Sequence, residues 1–181
     1  GIISELLSGE SISASLLDTS GFDVDGSFDN GIVAHEYGHG ISNRLTAGAS
    51  TTNCLQNAEQ MGEGWSDWFG LMITMEEGDQ STDPRGIGNF ASGVPLGESG
   101  LSSRRAPYST DFSINDYTYG DSNNTAQITQ PHGVGFVFAT MLWDLTWAYV
   151  DKYGFDSDLF NGNGGNNKVM QLVLDGLKLQ P

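Results

Sequence analysis

The chain has 181 residues, a length that suits one domain. Seven Lys and Arg stand against 23 Asp and Glu, a net charge of −16 and a pI near 4.1, so nucleic-acid phosphates and anionic membrane surfaces are repelled and neither is expected as a partner. No apolar run reaches the roughly 18 residues of a membrane span; the nearest, 134–150, is interrupted by Thr140, Asp144 and Thr146.

Ile2, Ile3, Leu6 and Leu7 give a short helical pattern, followed by a Ser-rich passage without recognisable chemistry. Residues 21–30 form a turn-rich acidic loop. Asp23, Asp25 and Asp29 resemble a calcium loop in their spacing, but no glutamate stands at the twelfth position, so a turn with Asp29 or Asn30 as helix N-cap is the expected role and Ca2+ the lesser reading.

The next stretch, Gly31 to Gly40, contains His35-Glu36-Tyr37-Gly38-His39. On a helix the i, i+4 spacing stacks both imidazoles on one face, one turn apart, where both can reach one metal ion. Glu36 stands beside the first histidine, close enough to touch a water there without being a ligand. Two neutral imidazoles suit zinc. The helix is expected to end near Thr46-Ala47-Gly48. Cys54 is the sole cysteine, read as a small buried hydrophobe or a free thiol.

A second helix is expected from about Ala58 to Glu76, its Trp65, Trp68, Phe69, Met72, Ile73 and Met75 recurring at core spacing. Glu63 lies 24 residues past His39 and is the candidate third zinc ligand; Asp67, one turn on, can accept the spare N–H of a ligand histidine and fix its tautomer. Residues 78–100 carry two prolines and several glycines and read as extended loop. Arg104 and Arg105 stand out in a chain so poor in cations, with a salt bridge on the acidic surface as their plain reading. Residues 111–130 are polar and irregular, with Tyr117 and Tyr119 as their tyrosines. His132 opens the most apolar helix, Gly133 to about Val150, within which Asp144 needs a partner if buried. A flexible Asn-Gly turn over 161–167 leads to an amphipathic helix, Lys168 to Leu179.

The run His35 to Thr46, followed by Met61-Gly62-Glu63-Gly64-Trp65-Ser66-Asp67, resembles the fungalysin family of secreted zinc metallopeptidases, thermolysin-like gluzincins. The likeness continues through Arg104 to Asp111, Pro131-His132-Gly133-Val134-Gly135, Gly164 to Asn167 and Gln171 to Pro181, and so covers nearly the whole chain from about Asp29. It implies a mainly α fold, the zincin-like helical lobe of a thermolysin-like peptidase with long irregular loops. One Zn2+ is implied on His35, His39 and Glu63, with Glu36 as general base and His132 assisting catalysis. Arg104 or Arg105 falls in the interval where such enzymes place a substrate-binding arginine. Their oxyanion tyrosine lies between the second histidine and the third ligand, where this chain has none, which leaves Tyr119 as a weak substitute. Some members carry a cysteine just beyond the segment matching Leu177 to Pro181, a candidate partner for Cys54.

The expected function is a secreted zinc endopeptidase acting on proteins or peptides. The chain over 1–181 reads as one helical, zinc-binding unit of a catalytic domain incomplete at both ends, so an upstream strand-rich lobe or a propeptide of the same precursor is an expected partner. An inert zinc-binding fragment, or a zinc hydrolase of non-peptide substrates, are the alternatives.

Overall fold

The computed structural model describes residues 25–57 and 61–180; the expected helix over Ile2 to Leu7, and Asp23, lie outside them. Among the described residues five α-helices make up most of the regular structure, and there is no strand beyond two isolated bridges, Arg85 with Tyr108 and Ile87 with Gly100.

A single 3-10 turn, Gly26–Phe28, leads into α1, Asn30–Leu45. Asp29 is the N-cap of α1: its Oδ1 accepts from Gly31 N at 2.9 Å and Ile32 N at 3.2 Å, satisfying amides that the helix itself leaves unpaired. Its Oδ2 accepts from Ala91 N at 3.0 Å, which ties the start of α1 to a distant loop. The helix ends at Thr46, and the chain turns through Ala47 and Gly48, both at positive φ.

Helix α2, Gly62–Ile73, is buried on every side from Gly62 to Met72. It stops three residues short of the expected Glu76, because Thr74 turns its hydroxyl back onto the Gly70 and Leu71 carbonyls and offers the backbone an alternative to another helical turn. Between residues 74 and 131 the chain is irregular apart from the one-turn α3, Asn89–Ser92, and a 3-10 turn at Tyr119–Asn123. Helix α4, His132–Tyr153, is long and apolar enough to cross a membrane by length and composition, yet most of it is buried inside the protein. Helix α5, Gly165–Lys178, lays Val169, Val173 and Leu177 onto it.

The core lies where α2 meets α4, around Trp68, Leu71, Met72, Phe136, Val137 and Trp143. Trp68 donates its indole N–H to Thr146 Oγ1 at 2.8 Å, so its one polar atom is satisfied inside the apolar layer. Glycines set how closely the helices approach. A Cβ at Gly38 of α1 would lie 2.7 Å from Ser66 Cα of α2, and one at Gly64 would lie 2.5 Å from Gly135 O of α4. At both crossings backbone touches backbone, and this brings the functional ends of three helices together.

Candidate active site

His35 and His39 face α2 from α1, their rings edge to face at 4.8 Å between centroids. Their Nε2 atoms lie 3.1 Å apart. Glu63, in the first turn of α2, places Oε2 3.2 Å from His35 Nε2 and Oε1 3.5 Å from His39 Nε2. Zinc bonds of 2.0–2.1 Å at tetrahedral angles put neighbouring donors about 3.3 Å apart; the His35–His39 and His35–Glu63 separations of 3.1 and 3.2 Å lie near that value, and the 3.5 Å contact with His39 is made by the other carboxylate oxygen. Two imidazole nitrogens and a carboxylate converging on one point need a cation between them, a metal ion or a proton. The donor set therefore fits zinc, both in its chemistry and in its spacing.

Behind the donors lies a buried charge network. Asp67 is fully buried, and its Oδ1 accepts from His35 Nδ1 at 2.6 Å. That bond assigns the proton of the neutral ring to Nδ1 and turns the Nε2 lone pair toward Glu63 and His39. Arg104, 3% exposed, clamps the same carboxylate with two bonds, Nε to Oδ2 at 2.8 Å and Nη2 to Oδ1 at 2.6 Å. Burial alone would raise Asp67; the hydrogen bonds from His35 and Arg104 outweigh it and hold the carboxyl at about 2. For His35 burial acts downward, but Asp67 and then Glu63 lift the metal-free imidazole to about 9. His39 moves the other way, lowered by burial and by the charge of His35. Glu63 is lowered overall: burial opposes ionisation, and His35 and His132 more than offset it.

Glu36 is exposed, about 100° round the helix from His35, and it makes no hydrogen bond or ion pair among the described residues. His132, at the first position of α4 with its side chain about half exposed, points Nε2 at Glu63 Oε1 across 3.4 Å. Of the two arginines that sequence could not separate, Arg104 is turned inward onto Asp67. Arg105 lies at the surface, donating to Gln127 O at 2.8 Å. Tyr119 is exposed and borders a hollow with Met61, Val134 and Phe138, near the starts of α2 and α4 but apart from the metal donors. Asp144 is exposed, so the need for a buried partner does not arise. Cys54 is likewise exposed rather than a buried hydrophobe. Of the acids read as a faint calcium loop, Asp25 accepts from Ser27 N and Asp29 is committed to backbone amides through both oxygens. A broad surface hollow lies between α1 and α5, along Val33, Tyr37 and Leu174, and none of the three donors lines it.

Sequence reasoning gave no role to Tyr108, which is wholly buried and donates its hydroxyl to Asp67 Oδ2. A tyrosine in an irregular stretch has no periodicity to betray it. The available signal was its place four residues after Arg104 in a motif already singled out.

The model of the fungalysin metallopeptidase (M36) family matches residues 11–181. Extracellular metalloproteinase 2 of Trichophyton tonsurans is 39% identical over 165 residues, and extracellular metalloproteinase 10 of Coccidioides posadasii is 41% identical over 165. Extracellular metalloproteinase 4 of Arthroderma benhamiae is 40% identical over 167 residues. Each alignment covers 87% of this chain and 25% of the relative, so the chain spans about a quarter of the length of these relatives. With two histidines and a glutamate gathered as a metal would need them, and the family match running over nearly all of its length, the chain belongs to the fungalysin metallopeptidase family.

Proposed function

We propose that this chain carries the metal-binding and proton-transfer groups of a secreted zinc endopeptidase. His35 and His39 through Nε2, with the carboxylate of Glu63, would hold one zinc ion. Bound there, zinc supplies Lewis acidity and brings the pKa of water down to about 7. Asp67 keeps the proton of His35 on Nδ1, so that Nε2 remains a donor. Glu36, exposed and unpaired, takes a proton from water as its oxygen attacks the peptide carbonyl carbon. It then returns that proton to the departing amide nitrogen. His132 donates an N–H to the oxygen that becomes negative as the carbonyl turns tetrahedral, a contribution of about 2.7–4 kcal/mol for one well-placed donor. The observation that carries this reading is the set of donor separations at 3.1, 3.2 and 3.5 Å.

Because the chain spans a quarter of its relatives, peptide positioning is assigned to the whole protein, with a strand-rich lobe upstream of α1 as the proposed second wall of the cleft. Secretion is proposed from the relatives' description as extracellular. The test is Glu36→Gln in the full-length protein. Zinc should remain stoichiometric while casein hydrolysis falls by about 10²–10⁴; near-normal turnover would assign the base to another group.

A further inference from the structure

We propose that Tyr108 is a positioning residue of the candidate metal centre, its hydroxyl completing, with Arg104, the donor set that holds Asp67 against His35 Nδ1. The inference rests on the metallopeptidase reading and extends it one layer outward, from the donors through Asp67 to a residue that touches none of them.

Four hydrogen bonds end on the Asp67 carboxylate. Oδ1 takes His35 Nδ1 and Arg104 Nη2; Oδ2 takes Arg104 Nε and the Tyr108 hydroxyl. A carboxylate offers about four lone-pair sites, so the set is full and the plane of the group is fixed from both sides. Tyr108 is itself held in place. Its backbone N–H and C=O both bond to Arg85, at 2.7 and 2.9 Å, and Arg85 is in turn paired with Asp79 at 3.0 Å. The ring packs on Phe136 of α4, with centroids 5.5 Å apart. Packing alone does not explain a tyrosine here. A buried hydroxyl is costly unless it is hydrogen-bonded, phenylalanine would fill the same space, and the hydroxyl finds its partner in Asp67. The Tyr108 hydroxyl thus joins the Arg104 guanidinium, four residues earlier in the same loop, on the Asp67 carboxylate.

Without the hydroxyl, Oδ2 keeps Arg104 alone, and the carboxylate is free to swing toward the arginine and away from His35. Loss of partners in the outer shell of a metal site lowers metal affinity by about 10–100-fold; for a residue one step further out we expect the lower end, about tenfold.

The test compares the full-length protein with Tyr108→Phe and Tyr108→Leu, each stripped of metal and titrated with zinc ion against a competing chelator. Tyr108→Phe should keep the melting temperature of the metal-free form near wild type, raise the zinc Kd about tenfold and leave KM for a peptide substrate unchanged. Tyr108→Leu should lower the melting temperature as well. In an Asp67→Asn background the further change Tyr108→Phe should leave Kd where it was, because the route through Asp67 is gone. A Tyr108→Phe protein that binds zinc as tightly as wild type, or more tightly, overturns the proposal, as does an undiminished effect in the Asp67→Asn background. If the wild-type protein takes up no stoichiometric zinc, the metallopeptidase reading falls and this inference falls with it.

Discussion

Gly135→Ala tests whether the helix crossing positions the donors. A Cβ at this point on α4 would lie 2.7 Å from Gly64 N and closer still to the Cβ of Glu63. Ordinary contacts between such atoms lie near 3.5–4.0 Å, so α2 and α4 must part by about 1 Å. Overpacking of this kind costs about 1–3 kcal/mol, and alanine returns about 1 kcal/mol through its better helix propensity. Net destabilisation should therefore be modest, on the order of 1 kcal/mol. Zinc binding should suffer more. Glu63 is a donor at 3.2 and 3.5 Å from the two imidazoles, and a shift of about 1 Å exceeds the roughly 0.5 Å within which a binding constellation keeps its function. Zinc Kd, measured by chelator competition, should rise at least about tenfold. The matched control is Gly176→Ala, exposed on α5 with nothing within 4 Å of the added carbon; it should gain up to about 1 kcal/mol of stability and leave Kd alone. A Gly135→Ala protein with wild-type zinc affinity would refute the claim that backbone approach sets the site.

Asp29→Ala should destabilise the protein by about 2 kcal/mol, since it removes the cap of the metal helix and strands the part-buried amide of Ala91. Urea denaturation checks this, and a loss below about 0.5 kcal/mol would contradict it. In the metal-free protein, His35 is lifted from 6.5 to about 9, so the folded state binds its proton more tightly than the unfolded chain does. That contribution, about 3 kcal/mol, is fully present below pH 6.5 and is lost as pH rises through about 9. The melting temperature of chelator-stripped protein should therefore fall between pH 6.5 and 9.5, while the zinc-loaded form, in which His35 Nε2 carries no proton to lose, should lack this decline. A flat profile for the stripped protein would place the proton elsewhere.

What the sequence determined by itself was local. His35 and His39 share a helical face because residues four apart differ by only about 40° in angle, whatever surrounds them. An N-cap at Asp29 or Asn30, the turn near Thr46-Ala47-Gly48 and the apolar course of α4 follow from neighbours in the chain, and the motifs from His35 to Thr46 and from Met61 to Asp67 were enough to suggest the family. Helix ends were less legible. The stop of α2 at Ile73 depends on which way the Thr74 hydroxyl turns, and periodicity does not register that choice. The tertiary structure alone decided which arginine turns inward. Arg104 and Arg105 are adjacent and chemically identical, and only the position of Asp67, 37 residues earlier in the chain, separates a buried clamp from a surface bond to Gln127 O. Tyr108 became visible for the same reason, since its partner lies 41 residues away and no spacing rule connects them. Spacing along one helix is set by 3.6 residues per turn; contacts between segments are set by how closely backbones can approach, and here that is governed by Gly38, Gly64 and Gly135.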